Sequence, residues 1–170
     1  MNPETSVDSL TSRLLDALDK EADHLRRVTD FLGELSRLII KRDEAGLHAL
    51  FGRVHEETLS HESSENERGR VTVLLAGAVG CAPAELTLSM LERFVPAHHL
   101  QQLRRRRKEL GEVVDALRKQ HYSTSMLLGE MIRINRSLLA GLTGSSSGVT
   151  YGRGGRAKWA GTNNILNLRY

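Results

Sequence analysis

The nearest approach to a hydrolytic metal site in this sequence is HEETLSHE, residues 55 to 62, which carries two His-Glu pairs. A zincin helix needs its imidazoles four residues apart, so that both share a face and the glutamate between them can act as base. His55 and His61 are six apart and, at about 100° per residue, point in different directions. A polar helix face is therefore expected here, not a metal. His98 and His99 are adjacent, diverge for the same reason and read as surface histidines. The glycine-rich GRGG of Gly152 to Gly155 lacks the Lys-Ser/Thr and the strand-to-helix setting of a phosphate loop. No Ser, His and acid follow a nucleophile motif, and no paired carboxylates sit among apolar residues. Cys81 has no second thiol to pair with, which excludes an internal disulfide and suits a reducing compartment. No catalytic residue, metal or cofactor is expected, and the chain reads as a binder.

Charge carries the next signal. Arg104 to Arg107 and Lys108 are five consecutive cations, which on a helix could meet phosphates. Five consecutive residues also encircle a helix and make no single stripe, and their stems can lie over apolar surface. Residues 1–67 hold 8 basic and 15 acidic residues, 68–140 hold 12 and 6, and 141–170 add four cations with no acid. Opposite signs on successive helices favour side-by-side packing, which needs no nucleic acid.

Long helices must position these groups. Aromatic residues make up 4% and Pro numbers three, while Leu, Arg, Glu and Ala dominate, a composition of helices joined through leucine seams. Leu14, Leu18, Leu25, Val28, Leu32, Leu35 and Ile39 keep to steps of three, four and seven, predicting a helix over about 8–41 with Ser9 or Thr11 as its cap. A tight link at Arg42 to Gly46 leads to a second helix over about 43–79, seamed by Leu47, Leu50, Val54, Arg68, Val71, Leu75 and Val79. Its middle, HEETLSHESSENERGR, has only Leu59 as a large apolar residue, so it is solvated or meets polar partners. Gly80 as C-cap and Pro83 as first helical residue predict a short helix in APAELTLSMLERF, ending before Pro96. A last long helix follows from about 97 to 140. The fold class is all-α, an elongated antiparallel bundle of long helices with coiled-coil-like seams over 1–142, and a flexible Gly/Ser-rich basic tail over 143–170.

The end of the last helix carries more apolar surface than a two-helix contact needs. Leu127, Leu128, Met131, Ile134, Leu138, Leu139 and Leu142 spread over more than one side, so something else should cover the surplus. The tail adds Tyr151 and Trp159 as possible further contacts. The longest apolar stretch, Val71 to Ala82, is far short of the roughly 20 residues that span a bilayer. With no secretory pattern at the start, a cytoplasmic protein without membrane insertion is expected.

The order of LLDALDKEADHLRRVTDFLGELSRLIIKRDEAGLHAL, then ENERGR, then MIRINRSLLAGL leading to TYGRGG resembles the FlgN family of flagellar export chaperones. The resemblance adds Asn135 to the contact surface, and Tyr151 with Gly152 and Gly155 matches the family's closing segment. It implies a cytoplasmic chaperone of secreted flagellar hook-associated (hook-filament junction) proteins. The last helix would hold the client's C-terminal helical segment, prevent premature assembly and deliver the client to the flagellar type III export gate. The basic run Arg104 to Lys108 and the ending WAGTNNILNLRY depart from that pattern. The alternative is a basic helical coiled-coil protein associated with nucleic acid, and a third reading is a purely structural coiled coil.

Overall fold

The computed structural model describes residues 7–142 together with 150–151 and 157–158. The chain divides into two units, residues 1–124 and 125–170.

In the first unit, α1 (Val7–Lys41) and α2 (Glu44–Val79) form an antiparallel hairpin. The expected bounds hold to within a residue, but Ser9 and Thr11 lie inside α1 and do not cap it. Thr11 is buried, and its hydroxyl donates back to the Val7 carbonyl at 2.6 Å, the usual bond of a threonine within a helix. The link is two backbone motifs fused. Asp43 N donates to the Leu38 carbonyl and Arg42 N to that of Ile39, each at 3.1 Å, with Arg42 left-handed at φ 54. This is the double bond of a Schellman ending, in the position where glycine is usual. Asp43 then caps α2 by accepting from Gly46 N at 2.8 Å. A Cβ at Gly46 would fall 2.6 Å from Leu38 Cδ2, so glycine is needed here for space.

The core gathers at one end of the hairpin. Leu10, Leu14, Leu15 and Leu18 of α1 meet Val71 and Leu75 of α2, with Leu91 and Leu103 closing over them. Farther along, Leu25, Val28, Leu32 and Leu35 are only half-buried, and a cleft of about 320 Å³ opens between α1 and α2 beside Phe31 and Leu50. Polar pairs take over in the middle, where α2 lacks apolar residues. Arg13 pairs with Glu67 and Arg53 with Glu34, while Glu57 binds His24 at 2.7 Å and Arg27 at 2.8 Å. His24 and His61 stack face to face with centroids 3.6 Å apart. Glu57 and His61 of the HEETLSHE segment thus turn to partners on α1. Burial pushes the Glu57 carboxyl up, but hydrogen bonds from His24 and Arg27 outweigh it and hold the group below its ordinary value.

Gly80, left-handed at φ 79, ends α2 as expected. The predicted third helix is much shorter than its segment: α3 covers only Leu88–Leu91. Pro83 opens a turn, with Glu85 N bonded to the Ala82 carbonyl at 2.9 Å. Thr87, in extended conformation, caps the Met90 amide and so begins a new helix after that turn. α4 spans Ala97–Leu142, and its part from Ala97 to Thr124 runs alongside α1 in the same direction, with Arg106 on Asp19, Arg26 on Glu109 and Thr124 beside Ser36. The first unit is therefore an up-down-up arrangement in which α2 opposes both neighbours. Thr124 is 2% exposed, its hydroxyl 3.0 Å from Ser36 Oγ and within reach of the Leu32 and Gln120 carbonyls. The polar break at Thr124 in the last helix's seam is a satisfied interhelical bond.

In the second unit, α4 continues from Ser125 to Leu142, and β1 (Thr150–Tyr151) pairs antiparallel with β2 (Ala157–Lys158), Thr150 opposite Lys158 and Tyr151 opposite Ala157. The predicted tail thus contains a two-residue ladder, formed where Thr and Tyr favour extended backbone; its other residues lie outside those described.

Leu75→Ala should lower unfolding free energy by about 2–5 kcal/mol, as emptying a fully buried leucine site does. Arg42→Gly should raise it by up to about 1 kcal/mol by removing the left-handed strain of a side-chain-bearing residue. A carboxyl with a lowered folded pKa stabilises at neutral pH, and that contribution is lost as pH falls through the folded value. Glu57→Gln should therefore be less stable than the wild type at pH 7, with the gap closing as pH drops below 4.5. Urea midpoints across a pH series measure all three.

Candidate functional site: an apolar face on the last helix

The segment from Ser125 to Leu142 is helical because it is rich in Leu, carries Met and Arg, and contains no proline. At about 100° per residue, Ile134, Leu127, Leu138, Met131, Leu142, Asn135, Leu128, Leu139 and Ile132 follow one another around an arc of about 160°. All but Asn135 are apolar, and Asn135 stands near the middle. The opposite side carries Glu130, Arg133, Arg136 and Ser137 together with Gly129 and an exposed Met126, with the Arg133 guanidinium 2.6 Å from Glu130. The hydrogen bonds that the Arg133 guanidinium donates to Glu130 hold it above its ordinary value.

Each residue expected from sequence can now be placed. Leu127 and Met131 are half-buried, and Leu128, Ile134, Asn135, Leu138, Leu139 and Leu142 are exposed, the leucines from 38% at Leu128 to 85% at Leu142. Tyr151 lies in β1, and Trp159 lies outside the described residues. Sequence reasoning missed Ile132, exposed at 52%. It continues the ridge of Leu128 and Leu139, at steps of four and seven, so the complete wheel would have found it. The arc supplies dispersion, apolar area and one amide. It can take up an apolar helix face, and it holds no acid, base or nucleophile.

The basic run behaves differently from a phosphate-binding stripe. Arg104 and Arg107 both reach Glu92, at 2.9 and 2.7 Å, and Arg107 also donates to Ser89. Arg106 donates to Asp19 Oδ2 at 2.6 Å, and Lys108 lies 3.8 Å from Glu112. The anticipated pairing with the acidic first region is made by Arg106, whereas Arg104 and Arg107 turn to the connector. No helix among the described residues is long and apolar enough to cross a membrane.

A family model described as FlgN protein matches residues 1–158, most of the 170-residue chain. No curated protein and no solved structure matches it.

Substitutions Ile132→Ser and Leu142→Ser should leave unfolding free energy within about 0.5 kcal/mol of the wild type, since each side chain is already largely in water. Leu103→Ser, in the core, should cost several times as much, and denaturant titration of the three variants reads the contrast.

Proposed function

The chain belongs to the FlgN family of flagellar export chaperones, and from that premise we propose that the apolar arc of α4 holds the C-terminal helical segment of a secreted flagellar hook-associated protein. Members of this family bind hook-associated proteins generally and are chaperones rather than enzymes. The observation that carries the finer reading is the exposure of Leu128, Ile132, Ile134, Leu138 and Leu142 on one helix. Covering a client's apolar helix there would keep it from assembling early, and release at the export gate would hand it on. Tyr151 and Trp159 are the proposed further contacts from the tail.

The nucleic-acid reading rested on Arg104 to Lys108. Ion pairs to Glu92, Asp19 and Glu112 occupy four of those five cations, which favours the chaperone reading.

Few aliphatic anchors usually supply most of the affinity of a helix in a groove. The double variant Met131→Ser with Ile134→Ser should therefore lose on the order of 2 kcal/mol or more of binding to the client's C-terminal segment, with helicity retained. Calorimetry with the folded variant reads this, and full affinity would refute α4 as the site. Removal of residues 144–170 should weaken binding less if the tail only clasps, and abolish it if Tyr151 and Trp159 are the main anchors. Binding that weakens steeply with salt and is matched by nucleic acid would support the alternative.

A further inference from the structure

We propose that Asp8, His98 and His99 form a binding site for a divalent transition-metal ion, with zinc as the best fit. Neighbouring residues on a helix ordinarily point about 100° apart. Here, in the first turn of α4, the two imidazoles converge instead, with centroids 4.1 Å apart and rings tilted by 44°. Both Nε2 atoms reach one oxygen on α1: Asp8 Oδ1 is 2.9 Å from His98 Nε2 and 3.2 Å from His99 Nε2. The three donor atoms all lie within 4.8 Å of one another. A tetrahedral zinc ion with bonds of about 2.0–2.1 Å sets its ligands about 3.3 Å apart, close to the 2.9 and 3.2 Å that separate the Asp8 oxygen from the two imidazoles.

The donor set also fits by chemistry. Two imidazoles and one carboxylate suit zinc and its neighbours in the transition series, and not calcium or magnesium. Asp8 and His98 are more than half exposed, so an ion has a path in and water can complete the fourth position. His99 is 13% exposed, and its Nδ1 has no hydrogen-bond partner among the described residues. Because no described group orients that imidazole through its other nitrogen, the site belongs with exchangeable sites rather than tight structural ones.

A second trio, Glu21, His61 and Glu65, has similar spacing but not the same freedom. Arg68 occupies both oxygens of Glu65, at 2.8 and 2.5 Å, so a cation there would have to displace a guanidinium. That trio supplies the control. An ion at Asp8, His98 and His99 would fasten the first turn of α1 to the first turn of α4, two points about 90 residues apart in sequence.

The experiment uses the full chain, free of any histidine tag and stripped with chelator, titrated with ZnCl₂ by calorimetry and followed by thermal unfolding. One ion per chain should bind, raise the unfolding temperature and be lost on adding chelator. Asp8→Asn, His98→Gln and His99→Gln should each weaken binding on the order of tenfold or more and remove the rise. Glu65→Gln should keep both. Cobalt in place of zinc should give visible absorption of tetrahedral intensity, absent from the His98→Gln protein. Each variant's unfolding temperature without metal verifies that it folds. No zinc-dependent rise in the wild-type chain, or the same affinity in His98→Gln and His99→Gln, would overturn the site. Loss of binding in Glu65→Gln alone would move the ion to the second trio and equally overturn it.

Discussion

The first unit depends on a concentration of apolar contact at one end of a long hairpin. Leu10, Leu14 and Leu18 close on Val71 and Leu75, with Leu91 and Leu103 over them, and among the unit's other described large apolar side chains Leu50 is buried to the same degree. Helices of 35 and 36 residues span roughly 50 Å each, so most of their length lies beyond that cluster. Apolar burial alone would leave the rest of the pair free to slide or splay. The interhelical ion pairs and the stacked imidazoles occupy the stretch where leucines run out. Exposed pairs of this kind contribute little stability individually, but their partners are fixed, so they select one register.

The same division explains the connector and α4. Leu91 of the four-residue α3 and Leu103 of α4 both plug the core, and Glu92 follows Leu91 directly. Its position next to a buried leucine brings its carboxylate under Arg104 and Arg107. A basic run that looks like a nucleic-acid handle in isolation is thereby spent on holding α4 to the connector and, through Arg106, to α1.

Much of this architecture was readable in advance because helix period and capping chemistry are local. The bounds of α1 and α2, the Arg42 to Gly46 link and the Gly80 ending follow from leucine spacing and from residues suited to left-handed or capping positions. What escaped was decided by contacts distant in sequence. Thr11 looked like a cap because hydroxyl residues favour helix starts, yet it is buried in the second turn. Thr87 broke the expected third helix by capping a shorter one, a choice that local propensity leaves open. His98 and His99 seemed to diverge because an ideal helix was assumed, and no reading of spacing could supply Asp8, about 90 residues away. On the candidate surface, the leucines and Met131 were visible as an excess of apolar residues. Ile132 was missed through an incomplete wheel, not through any tertiary effect.

Thr124 is the last buried residue of α4 among those described. Upstream, side chains are screened by the demand that the hairpin fold at all. Downstream, that filter is largely absent, since changing an exposed leucine for another apolar residue scarcely alters folding free energy. With the proposed client seated there, natural variation from Ser125 onward would answer to the partner and not to folding. On that proposed site, a change in the client could be matched by one exposed substitution at a time, without passing through unfolded intermediates. The boundary between the stretch that folding constrains and the stretch it leaves open is a single satisfied hydroxyl.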